Sequence, residues 1–182
     1  MSVVVTLPHD RDWTVDDLAW MPDDGFRYEL VDGVLLVSPA PVPAHQLVLG
    51  DLYTALRAAA PEGLLVFFAP VDFQPTNRRS FQPDLIVVRR EDVGPKNVTQ
   101  PPLLAVEVLS PGTRAVDLTL KRRVYEESGV ASYWVLDPDA GTLVAWELRD
   151  GAYLEVANIS GTEVWTAERP FPVDVPARFR SA

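Results

Sequence analysis

The sequence predicts a mixed α/β (α+β) fold, a β-sheet flanked by helices, on three observations. Two Asp-Gly pairs sit inside alternating apolar and polar runs. Short apolar runs of strand length recur through the middle of the chain, and two stretches of helical spacing are interleaved with them. "FRYELVDGVLLVSPA" alternates about Asp32-Gly33 and predicts a hairpin with a type I′ turn. "APVPAHQLVLGDLYTALRAAAPEG" predicts a helix over about residues 44–60. Val48, Leu52, Ala55, Leu56 and Ala59 make its apolar stripe, Pro43 stands at its entry, and Pro61 and Gly63 end it. "LLVFFAPVDFQ" reads as a strand and "QPDLIVVRR" as another, and the loop "EDVGPKNVTQPP" leads to a third, "LLAVEVL". A tight turn, "SPGT", precedes a second helix over about 115–128, closed by Gly129. "SYWVLDP" is a further strand, and "TLVAWELRDGAYLEV" a second hairpin around Asp150-Gly151. The last stretch, "VWTAERPFPVDVPARF", carries Pro every few positions and predicts irregular structure. One domain is therefore expected over 1–182, with its core at about 26–157 and an irregular tail at 158–182.

Composition narrows the class. Hydrophobic residues make up 47% and charged residues 23%, the balance of a soluble globular protein. No apolar run approaches the roughly 18 residues that span a bilayer, so no membrane partner is expected. "MSVVVTLPHDRDW" lacks the basic region of an export signal, so the expected location is cytoplasmic. The absence of cysteine excludes disulfides and thiolate metal sites. A net charge of −10 opposes binding to a phosphate backbone, but the charge is uneven. The segment from Arg78 to Arg123 holds nine basic and five acidic residues, a formal +4, which leaves −14 on the rest of the chain.

Two acids inside that segment are out of character. Asp84 directly precedes the apolar Leu85-Ile86-Val87-Val88, and Glu107 interrupts the run from Leu103 to Leu109. A carboxylate in such a strand is costly unless it is paired or binds a cation. On the second helix Asp117, Lys121 and Tyr125 lie four apart and share a face, with Arg114 just before them. A strand, a short turn and a helix bring that face back over the strand's end, so Lys121 is expected to reach the acids. Mg²⁺ suits paired carboxylates and substrate phosphate. Two acids, a lysine and a hard cation together fit phosphodiester hydrolysis.

"QPDLIVV", "LLAVEVLSP", "DLTLKRRVYEESGV" and "YWVLDP", with "YELVDG" and "HQLVLGDLYTALR" upstream, resemble the Uma-two family of restriction endonucleases. That family is part of the PD-(D/E)XK nuclease superfamily, and the resemblance runs from about Phe26 to Tyr153. It implies a restriction-endonuclease-like core, a central mixed sheet with a helix on each side. It also implies a Mg²⁺ or Mn²⁺ cofactor, a nucleic-acid partner (DNA first) and a homodimer that could join two basic segments. In the resemblance Asp84 matches the acid of the PD motif and Glu107 the acid of (D/E)XK, with the backbone carbonyl of Val108 as a further metal ligand. Arg114 and Arg122 become candidates for nucleic-acid contact. The pattern departs at Leu109, where the superfamily has Lys, and Lys121 is similar to the relocated lysine of variant members.

Each role has a structural alternative. Asp84 also fits a residue that caps or bends a strand after Pro83, Glu107 one that pairs with Lys121 or Arg114, and Lys121 one that bridges to Asp117. Asp117 fits a first-turn acid facing the helix dipole. His45 fits a core or capping residue, or a contact to metal, water or phosphate. Glu29 fits an acid supporting the ligands, or an exposed strand position. Tyr125 reads as packing, and Trp134 as core or a dimer contact. The alternative function is a catalytically weak or inactive nucleic-acid-binding or assembly protein on the same fold.

Overall fold

The computed structural model describes residues 5–7, 11–110, 112 and 114–179. In chain order its strands are β1 (Val5–Leu7), β2 (Arg27–Val31), β3 (Val34–Ser38), β4 (Leu64–Phe68), β5 (Phe73–Thr76), β6 (Arg79–Phe81) and β7 (Leu85–Arg89). They continue with β8 (Leu104–Val108), β9 (Ser132–Asp137), β10 (Thr142–Arg149), β11 (Ala152–Ser160), β12 (Val164–Ala167) and β13 (Val173–Pro176). The helices are α1 (Val15–Leu18), α2 (Pro43–Ala59) and α3 (Arg122–Glu127), with a π-helical segment at Val116–Lys121.

The centre is a six-stranded mixed sheet in the order β11-β10-β9-β8-β7-β4. Its one parallel pair is β8 with β9, joined by the π-helical segment and α3. All its other neighbours are antiparallel. A second sheet, β1-β3-β2-β6-β5, carries the first hairpin. Side chains alternate along β8. Leu104, Val106 and Val108 face α2 with Val48, Leu52 and Leu56, while Ala105 and Leu109 face α3 with Val124, Tyr125 and the second sheet's Phe73 and Phe81. Glu107 thus lies on the α3 side.

Both predicted hairpins form with two-residue turns. Val31 pairs with Val34 and Arg149 with Ala152. Asp32 and Gly33 have φ of 51° and 87°, Asp150 and Gly151 have 52° and 85°, as type I′ turns require. A Cβ at Gly151 would meet nothing within 4 Å. Gly151→Ala therefore isolates the backbone term and is expected to cost about 1 kcal/mol, read as a lowered denaturant midpoint.

Three expectations are corrected. "LLVFFAPVDFQ" is two strands, β4 and β5, because Pro70 has no N–H to continue the ladder. The second helix is not uniformly α: its first half widens into the π-helical segment before α3 begins. The tail is not irregular, since β11 runs to Ser160 and β12 and β13 form an antiparallel ribbon beyond it. Its prolines fall outside the ladder or at its end, and Ala167, Phe171, Val175 and Phe179 are buried under α2. Pro111 and Thr113 of the predicted tight turn lie outside the described residues.

Candidate functional site

β7 and β8 are antiparallel with Leu85 opposite Val106, so the next step along the ladder sets Asp84 against Glu107. Here, where the ladder ends, a cleft of about 630 Å³, including its open mouth, is lined by residues from both sheets, α2 and the π-helical segment. Among them are Arg27, Glu29, His45, Asp84, Glu107, Asp117 and Lys121. Apart from Arg27, each of these side chains belongs to a residue no more than 6% exposed.

Asp84 is held from three sides. Arg27 Nη2 donates to Oδ1 at 3.0 Å, while His45 Nε2 lies 2.9 Å from Oδ2 and the Val108 N–H donates to the same oxygen at 2.9 Å. Arg27 also donates through Nη1 to the Gln82 carbonyl at 3.1 Å. Burial works against ionisation of Asp84, but the His45 hydrogen bond and the Arg27 charge outweigh it and hold the carboxyl below its ordinary range.

Glu107 is the opposite case. Its Oε1 accepts from Lys121 Nζ at 2.9 Å and from the Tyr125 hydroxyl at 2.8 Å. Lys121 Nζ also lies 3.2 Å from Glu29 Oε2 and 3.5 Å from Asp117 Oδ1. Burial pushes the Glu107 carboxyl well above its ordinary value; Lys121 opposes this, and Asp84, Asp117 and Glu29 reinforce it. For Lys121 burial disfavours the charge, but Glu107, Glu29 and Asp117 raise its pKa and keep it an ammonium. Counted as ionised, four carboxylates face two cations, Arg27 and Lys121, which leaves an excess of two negative charges in a buried cleft.

The donor chemistry fits a hard divalent cation, which supplies the missing charge and prefers carboxylate oxygen. Among the described residues no group of three or more His, Cys, Asp and Glu is arranged to hold a metal unaided. Asp84 and Glu107 would therefore hold it with backbone oxygen and water, as Mg²⁺ commonly is held.

The cleft thus gathers Asp84, Glu107, Val108, Lys121, His45, Glu29 and Asp117. Glu29 is not exposed: its Oε1 accepts from the Gln82 N–H at 2.9 Å. Asp117 does stand in the first turn of its segment, but its buried carboxylate also serves the cleft. Tyr125 packs, and it also donates to Glu107. Trp134 is core, fully buried with its ring edge-on to Trp165 at 5.2 Å. Arg114 and Arg122 do not join the cleft lining. Arg114 is ion-paired with Asp137, and the Arg122 guanidinium lies 5.5 Å from the centre of the Trp146 ring.

The basic segment is not one positive face. Six of its nine cations, Arg78, Arg79, Arg89, Arg114, Lys121 and Arg123, are in ion pairs. Sequence reasoning missed Arg27. The available signal was its place two residues before Glu29 on one strand, which puts both side chains on one face.

A family model described as "Uma2: Putative restriction endonuclease" matches residues 15–178. No curated protein matches the chain. Among solved structures, the crystal structure of "a putative nuclease belonging to DUF820" from Anabaena variabilis is similar with a TM-score of 0.68 at 17% identity, covering 87% of this chain and 89% of that one. At that identity the likeness establishes the fold.

Proposed function

Since the chain belongs to the Uma2 family of restriction-endonuclease-like proteins, we propose that it is a divalent-metal-dependent endonuclease hydrolysing phosphodiester bonds in DNA. The observation that carries this reading is the set of four buried carboxylates, Glu29, Asp84, Glu107 and Asp117, gathered in one cleft with Arg27 and Lys121. In this reading Asp84 and Glu107 hold Mg²⁺ or Mn²⁺, with the Val108 carbonyl as a further ligand. Such a cation, when bound, activates water and neutralises charge on a phosphoryl oxygen.

The protein's own groups prepare the place. Arg27 and His45 fix both oxygens of Asp84, so its carboxylate stays ionised and oriented. Tyr125 fixes Glu107. Lys121, anchored by Glu29 and Asp117, presents an ammonium at the Glu107 carboxylate, where it orients the attacking water and offsets charge developing on the phosphate. It thereby takes the part of the lysine that position 109 lacks.

A second reading, an inactive binding or assembly protein on the same fold, is favoured by one observation: Asp84 and Glu107 each already have a cationic partner in the protein. Calorimetric titration of Mg²⁺ and Mn²⁺ into wild type and Glu107→Ala separates the two. Saturable binding in wild type alone is the expected result. No binding to either protein would leave the ion-pair network as the whole purpose of these residues.

A further inference from the structure

We propose that the substrate strand is taken up unpaired, with a nucleobase stacked on Phe26 in a pocket adjoining the cleft, and not as a duplex gripped by its phosphates. The inference deepens the nuclease reading and rests on it. The second pocket, about 630 Å³ including its open mouth, is lined by Leu18, Met21, Phe26, Tyr28, Asp72 and Gln82 among others. It meets the cleft at Arg27, which lines both. One guanidinium thus reaches the Gln82 carbonyl on one side and Asp84 on the other. A base in this pocket lies beside the backbone position that Asp84 and Glu107 would address.

The pocket has the parts a base requires. Phe26 is 51% exposed, an aromatic side chain not spent on the core. Gln82 donates from its amide to Asp72 Oδ1 at 2.9 Å, so an amide and a carboxylate stand together as partners for the edge of a base. Aromatic stacking of this kind serves single strands, whose bases are free to turn outward.

Charge points the same way. Duplex binding draws on Lys and Arg set against successive phosphates. Among the described residues lining the two pockets, the Lys and Arg side chains are those of Arg27 and Lys121, and both are held in ion pairs. The second pocket adds Asp23 and Asp72, which repel phosphate and accept from base amino groups. The lip of the cleft at Val42, 54% exposed, is apolar. Such a surface receives bases better than it receives a phosphate backbone.

The test is fluorescence anisotropy of the wild-type protein with Ca²⁺, using one labelled DNA oligonucleotide as single strand and as duplex. The single strand is expected to bind more tightly, and to lose less than about tenfold in affinity between about 50 and 200 mM salt, where a binder making six phosphate contacts loses about a thousandfold. Phe26→Ala is expected to weaken single-strand binding roughly tenfold, the loss of one stacked base, and Phe26→Tyr to retain it. Phe26 is half exposed, so an unchanged melting temperature separates lost stacking from lost fold. Equal or tighter duplex binding, or a Phe26→Ala variant that binds as wild type does, overturns the inference. The nuclease reading is judged separately, by cleavage that requires Glu107. Glu107-dependent cleavage of a duplex, unaffected by Phe26→Ala, overturns the inference and leaves the nuclease reading standing. Absence of any Glu107-dependent cleavage removes the nuclease reading and the inference with it.

Discussion

Lys121→Met is expected to destabilise the metal-free protein by about 3–5 kcal/mol, the cost of removing one partner from a buried ion pair. Its ammonium lies within 3.5 Å of Glu29, Glu107 and Asp117, all buried. Methionine fills the same volume but takes away the cation those three carboxylates share, leaving Arg27 as the remaining guanidinium or ammonium of the cleft. Two further observations fix the cause. The loss should shrink as pH falls, because Glu107, already displaced above its ordinary value of 4.5, takes up a proton most readily. Mg²⁺ should in addition stabilise the variant, as a ligand binding only the folded state does, by about 2.7 kcal/mol at a hundred times its dissociation constant. Chemical denaturation at several pH values, with and without Mg²⁺, measures all three. A variant as stable as wild type throughout would mean that Lys121 does not hold the acids together.

Glu107→Gln is expected to act in opposite directions on stability and on activity. The amide removes an acid from a cleft in which four carboxyl groups are buried together, while its oxygen still accepts from Lys121 and Tyr125. Stability without metal should rise by about 1–2 kcal/mol, the scale of gain seen when a functional strain is relieved. The sign follows from linkage. A carboxyl whose folded pKa is raised contributes stability fully below its unfolded value, near 4.5, and loses it as pH climbs towards the folded value. The advantage of the variant should therefore be small in acid and grow as pH rises above 4.5. Metal-dependent cleavage should fall by about two to three orders of magnitude, the usual scale for removing a preorganised electrostatic group. If Glu107→Gln instead lowers stability at neutral pH, Glu107 is a partner that Lys121 needs, and the purely structural reading gains.

Much of this was legible because the elements are signalled locally. The Asp-Gly turns announce themselves through the left-handed conformation that both positions must adopt. The two strand acids stand out because charge inside an apolar run is rare without a reason. The tail departs from the irregular structure its prolines predict, because Pro172 precedes the short β13 and Pro176 is its last residue, so both leave its ladder intact. Arg27 and the second role of Tyr125 were hidden for another reason. Their partners lie far along the chain, Arg27 at 57 residues from Asp84 and Tyr125 at 18 from Glu107, and no periodicity encodes such distances. The π-helical turn was invisible too, because helical spacing in "VDLTLKRRVYEE" does not distinguish a wide turn from an α one.

The alternation of β8 has a consequence for misfolding. Its two faces meet different surroundings, an aliphatic and aromatic cluster beneath α2 and, on the α3 side, a second apolar cluster bordered by the charged cleft. A slip of one residue against β7 or β9 would turn Glu107 towards Leu52, Leu56 and Trp134, where no cation could reach it. The neighbouring apolar residues, Ala105 to Leu109, would tolerate such a slip far better on hydrophobicity alone. The acid therefore penalises mispaired versions of the central sheet, and a chain carrying leucine at 107 would lose that discrimination.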